Sequence, residues 1–88
     1  MNWITIDGPG LDCQGLILVD NLVAVGHADS AAMRRLLSSL PLTQIISLTG
    51  GRKRQTILVL NTGQVIITPL PLTVIERKLL EVQLLPRS

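Results

Sequence analysis

TILVLNTGQVIIT, residues 56–68, is the stretch whose reading decides the fold. Two aliphatic runs rich in β-branched side chains flank Asn61-Thr62-Gly63, a turn whose glycine can take the positive φ that closes a hairpin. The spacing predicts strands at 56–60 and 64–68, paired antiparallel. Neither run alternates apolar with polar residues, and strands of that kind are covered on both faces. Helices of the same chain can cover one face. A partner subunit is the expected cover for the other.

Toward the N-terminus, QIISLT (44–49) reads as a further strand, joined to the hairpin by the loop GGRKRQ (50–55). Before it the period changes. Met33, Leu36, Leu37 and Leu40 fall at i, i+3, i+4 and i+7, one face of a helix. Asp29 or Ser30 can cap that helix and Pro41 stops it, while Arg34 and Arg35 point away from the apolar stripe. WITI (3–6) is β-prone and is followed by a GPG turn (8–10). GLILV (15–19) and NLVAVG (21–26) read as strands parted by a turn or bulge at Asp20-Asn21.

Toward the C-terminus, Pro69 and Pro71 end the sheet. Thr73 and Glu76 form a T-x-x-E capping box. The helix it opens runs through about Leu84 on a stripe of Ile75, Leu79 and Val82. Leu80 and Leu84 lie off that stripe as candidate interface residues, and Pro86 closes the helix. The element order is β-β-β-α-β-β-β-α. This predicts an α+β fold, mainly antiparallel sheet with two helices, in a single domain over residues 1–88.

Composition adds a constraint. The chain has 88 residues, 47% of them hydrophobic, and Trp3 is its one aromatic residue. Chains of this size bury roughly 60–65% of their unfolded surface. So much aliphatic surface does not fit inside one copy, and homo-oligomerisation is the expected solution, since an obligate interface resembles a core cut in half. Membrane insertion is the competing explanation, but no run approaches the roughly 18 uncharged apolar residues of a spanning helix. MNWITIDG lacks the basic-then-apolar pattern of a signal peptide. Cys13 stands alone, so an internal disulfide framework is excluded and a reducing cytosol fits.

Charge is unevenly placed. Residues 1–29 carry Asp7, Asp12, Asp20 and Asp29 with no Lys or Arg. Residues 30–75 carry Arg34, Arg35, Arg52, Lys53 and Arg54 with no acid, beneath a modest overall charge of +2. Repeated around an oligomer, such loops make a surface suited to a polyanion. The other reading is that these cations guard a sheet edge against aggregation.

The catalytic inventory is thin. His27, with Asp29 two residues on, is the nearest acid–base pairing, and a general base needs both an orienting group and a target. A surface-loop or helix-start role suits it better. Cys13 lacks the second sulfur or nearby histidine of a zinc or nucleophile site. GPG lacks the rest of a dinucleotide fingerprint, and GGRK lacks the Lys-Ser/Thr of a phosphate loop. No enzyme activity, metal or cofactor is expected.

The basic loop has two readings. In one, Gly50 and Gly51 permit positive φ at a strand reversal and Arg52–Arg54 are merely solvated. In the other, the glycines let the backbone approach a phosphate and the cations neutralise several. From about residue 16 to 79 the chain resembles the RemA family of small bacterial DNA-binding regulators, associated with biofilm-matrix genes. LVDNLVAVGHADSAAMRRLL (18–37), IISLTGGRKRQTILVLNTGQVII (45–67) and PLTVIERKL (71–79) carry the resemblance together.

The resemblance implies a compact protomer closed into a ring of about seven or eight copies that binds duplex DNA through basic residues repeated around it. It implies DNA contacts at Arg52 and Lys53, where the family has two arginines after its T-x-G turn. Asn21 and Gln55 stand where the family tends to carry basic residues, and Gly50 where an aromatic often precedes the turn glycine.

The expected function is that of a cytoplasmic, nucleoid-associated transcriptional regulator. Arg52, Lys53 and Arg54 would contact double-stranded DNA, Gly50 and Gly51 would shape the loop, and Arg34 and Arg35 would extend the basic track or pair with N-terminal aspartates. The alternative is an oligomeric scaffold whose basic loop binds an acidic protein partner.

Overall fold

A computed structural model of the protein describes residues 2–7, 10–11 and 14–84, with side chains to residue 82. Among these residues six strands and two α-helices follow in the order β1 (Trp3–Asp7), β2 (Gln14–Leu18), β3 (Leu22–His27), α1 (Ala31–Ser39), β4 (Ile45–Ser47), β5 (Thr56–Leu60), β6 (Val65–Thr68) and α2 (Leu72–Leu84). This is the expected α+β element order. Gly8, Pro9, Cys13 and Pro86, to which the sequence assigned a turn, a lone thiol and a helix stop, lie outside the described residues. No helix among the described residues is long and apolar enough to cross a membrane.

The strands form two sheets. β1 and β2 pair antiparallel by themselves, while the four-stranded sheet runs β3-β5-β6-β4. Asp20-Asn21, expected as a turn or bulge, lies in a 3-10 turn spanning Val19–Asn21 that passes the chain from one sheet to the other. The register slips between Leu22 and Ala24 as β3 joins β5.

The β5–β6 hairpin forms as its sequence predicts, with Gly63 at φ 91. The Leu60 amide donates to the Gln64 carbonyl at 2.9 Å, closing a three-residue loop with glycine in the left-handed region.

The β4 pairing is the departure. β4 does not turn back onto β5 but runs parallel to β6, placing Ile45 beside Val65 and Ser47 beside Ile67. The basic loop still reverses the chain direction, but it is no hairpin, because β6 lies between the two strands it joins. It carries the chain from one sheet edge past the end of β6 into β5.

Both faces of the central strands are covered within one chain, which corrects the expectation that a partner must cover the second. Side chains alternate across the sheet. Ile57, Val65 and Ile67 face one way and meet Met33, Leu36, Leu37 and Leu40 of α1. Leu58 and Ile66 face the other way and meet Ile4, Ile6 and Ile17 of the β1–β2 hairpin and Ile75 of α2. Burying such side chains contributes about 1.5–3 kcal/mol each.

A Cβ at Gly26 would lie 2.7 Å from the terminal methyl of Met33, a flexible end that a substitution there would have to displace. The large apolar side chains left at least 49% exposed are Trp3, Leu11, Leu16, Val23, Leu42 and Leu80 among the described residues. Leu80 is therefore outward, as its place off the α2 stripe predicts.

The helix starts resolve two further expectations. Ser30, not Asp29, caps α1, its hydroxyl accepting from the Met33 amide at 3.2 Å. The Thr73–Glu76 capping box does not form. α2 begins at Leu72, so Thr73 already lies inside the first turn. Pro71 takes the start instead, its carbonyl accepting from Val74 at 3.0 Å and Ile75 at 3.3 Å. A proline suits that place because it has no amide of its own to satisfy.

Candidate functional site

The basic loop sits at the end of the large sheet where β3, β5 and β6 line up. His27 pairs with Thr56, and Thr56 pairs with Thr68. Gly50 has φ 56 and Gly51 φ 82, the positive values expected of them. A non-glycine side chain is strained in this region. The turn they make is closed by the Arg52 amide donating to the Thr49 carbonyl at 2.9 Å. Two successive positive-φ residues in a four-residue turn are the pattern of type I′.

Both ends of the loop are clamped. At the entry, the Leu48 amide donates to the Ile67 carbonyl at 2.8 Å. At the exit, the Gln55 amide donates to Thr68 at 3.0 Å while the Gln55 carbonyl accepts from Ala28 at 3.0 Å. Beneath it, the Thr56 hydroxyl donates to the Leu70 carbonyl at 2.7 Å and the Thr68 hydroxyl accepts from the Leu70 amide at 3.2 Å. Both threonines are fully buried. The backbone at the base is thus held on three sides, while residues 50–55 are exposed.

The loop carries its charge without neutralisation. Among the described residues the ion pairs are Arg34 with Asp29 at 4.0 Å and Lys78 with Asp7 at 3.1 Å. Arg52, Lys53 and Arg54 thus have no carboxylate within salt-bridge distance among those residues.

Shallow concavities flank the loop. One, of about 430 Å³, is lined by His27, Asp29, Ser30, Lys53, Arg54 and Gln55. The other, of about 310 Å³, is lined by Arg52, Lys53, Gln55, Pro69 and Leu70. Lys53 and Gln55 border both, so the loop forms a basic ridge between two clefts.

The remaining sequence-predicted residues are only partly gathered. Arg34 approaches the larger cleft through Asp29, whereas Arg35 is exposed on α1 and lines neither concavity. Asn21 lies away from the loop, in an apolar groove with Trp3, Leu16 and Leu60.

The sequence offers His27 and Asp29 as an acid–base pairing or, better, in surface-loop and helix-start roles, but not as part of the basic site. The structure puts them beside the cations, because β3 ends alongside the start of β5. The pairing of β3 with β5 was the signal that would have found them. Among the described residues no cluster of three or more His, Cys, Asp or Glu could hold a metal ion.

The model of the RemA-like family, described as extracellular matrix regulatory protein A-like, matches residues 14–79. The chain belongs to the RemA-like family. The match spans the T-x-G turn, the whole basic ridge and the strands that clamp it, together with both walls of the larger cleft. RemA-like proteins form a regulatory family, and the match makes extracellular-matrix regulation the broad setting of this chain. No curated protein matches the chain.

Proposed function

We propose that this RemA-like chain is a cytoplasmic, nucleoid-associated regulator of transcription that holds duplex DNA through Arg52, Lys53 and Arg54. The carrying observation is the ridge itself: three exposed cations with no carboxylate within salt-bridge distance among the described residues, on a loop whose base is hydrogen-bonded on three sides. A loop already ordered before binding loses less entropy on meeting its ligand. Arginine presents a planar fork to a phosphate, and Lys53 a compact point charge. The loop has no aromatic residue on which single-stranded bases would stack, which favours the duplex backbone as ligand.

One loop with three cations binds a polyanion weakly. A closed homo-oligomer would present several at fixed spacing, making later contacts effectively intramolecular. The exposed Trp3, Leu16, Val23 and Leu80 supply apolar surface for head-to-tail contacts that close into a ring.

The test is direct. A labelled duplex, a single strand of equal length and polyglutamate are titrated with the protein in dilute buffer. The reading expects the duplex to bind best and Arg52→Ala with Lys53→Ala to weaken that binding sharply at unchanged particle mass. Capture of polyglutamate with no affinity for duplex would overturn it in favour of an acidic protein partner.

A further inference from the structure

We infer that the cleft between the basic loop and the start of α1 seats a phosphate group of the bound polyanion. Lys53 and Arg54 are its cations, His27 is a third donor, and Asp29 limits its affinity. This rests on the DNA-binding reading and extends it from the ridge to a wall that belongs to β3 and α1.

The two walls are held to each other. The Ala28 amide donates to the Gln55 carbonyl at 3.0 Å, which fixes the spacing between His27–Asp29 on one side and Lys53–Gln55 on the other. The Ser30 amide donates to the His27 carbonyl at 3.1 Å, so His27 and Asp29 lie on one turn and both line the cleft. An imidazole has at least one N–H in any protonation state, so His27 can donate to a phosphate oxygen beside the two cations.

The charged groups around this cleft are Lys53 and Arg54 from the loop, Asp29 before α1, and Arg34 of α1 at 4.0 Å from Asp29. Three cations face one carboxylate, and the cleft stays electropositive with a neutral imidazole. Among the described residues Asp29 is the sole acid lining either concavity of the ridge. Its side chain is 62% exposed, so solvent weakens its repulsion of a bound anion without removing it. A carboxylate so placed lowers affinity for any phosphate that enters, while Arg34 offsets part of that effect.

Charge-matched variants test this. Asp29→Asn removes the carboxylate from the cleft. Asp20→Asn removes one exposed carboxylate at the far end of the sheet, next to Asn21, whose carbonyl accepts from Asn61 of the hairpin turn at 2.8 Å. Both raise net charge equally. Asp29→Asn is expected to tighten duplex binding about three- to tenfold beyond Asp20→Asn. His27→Ala is expected to weaken it about threefold or more, with an unchanged melting temperature.

If Asp29→Asn matches Asp20→Asn and His27→Ala binds like the parent, the cleft is empty of phosphate, yet the loop reading stands. If the parent ignores duplex altogether, that reading fails, and the cleft is then judged with inorganic phosphate by phosphorus NMR. Line broadening that is lost in Lys53→Ala with Arg54→Ala and enhanced in Asp29→Asn supports the seat. No broadening in any variant overturns it.

Discussion

The Thr56 hydroxyl donates to the Leu70 carbonyl at 2.7 Å, fully buried and directly beneath the exit of the basic loop. Thr68 completes the arrangement by accepting from the Leu70 amide. Valine has nearly the same shape as threonine but cannot donate, so Thr56→Val leaves the Leu70 carbonyl without this partner. We expect about 1–3 kcal/mol of destabilisation, read as a lower urea midpoint at unchanged slope. Thr56→Ser keeps the hydroxyl and should lose less.

The Asp7–Lys78 pair ties the β1–β2 hairpin to α2 across 3.1 Å. The hydrogen bond from Lys78, and then its charge, holds the Asp7 carboxyl below its usual range. A lowered folded-state value means that the unfolded chain binds the proton more readily. The pair's contribution is therefore present above about pH 4 and is lost as pH falls through the depressed value. Lys78→Met should flatten the acid limb of melting temperature against pH, with little change in its shape between pH 6 and 8. An acid limb identical to the parent's would show that the pair contributes nothing.

Leu16 and Leu80 are 67% and 49% exposed, on the β1–β2 hairpin and α2 respectively. In a closed ring such side chains become buried between copies. Leu16→Glu or Leu80→Glu should then lower the particle mass measured by light scattering, without lowering helix content. A mass unchanged by either substitution removes that residue from the contact.

Much of this fold was legible in local spacing. The α1 stripe of Met33, Leu36, Leu37 and Leu40 packs as its period demands, and Asn61-Thr62-Gly63 turns as its glycine allows. The unread parts were long-range. Nothing local tells β4 to run parallel to β6, because both strands are short aliphatic runs with several competent partners. The cover of the second sheet face was missed for the same reason: Ile4, Ile6 and Ile17 reach it from a hairpin about forty to sixty residues away in the chain.

The capping box failed because Pro71 offers an equally good helix start two residues earlier. At the site, three consecutive cations and two glycines were plain in the sequence. His27 and Asp29 were not, since they reach Lys53 and Arg54 only through the register of β3 on β5.

The measurement closest to the central claim is the salt dependence of duplex binding, for the parent and for Arg52→Ala with Lys53→Ala. Each phosphate contact contributes about 0.9 to the slope of log affinity against log salt, so one fully engaged loop of three cations predicts a slope of about −2.7, steeper when several loops bind. The double substitution should remove most of that slope while the particle mass stays the same. A parent slope near zero, or a slope that survives the double substitution, would contradict a ridge that works by neutralising phosphates.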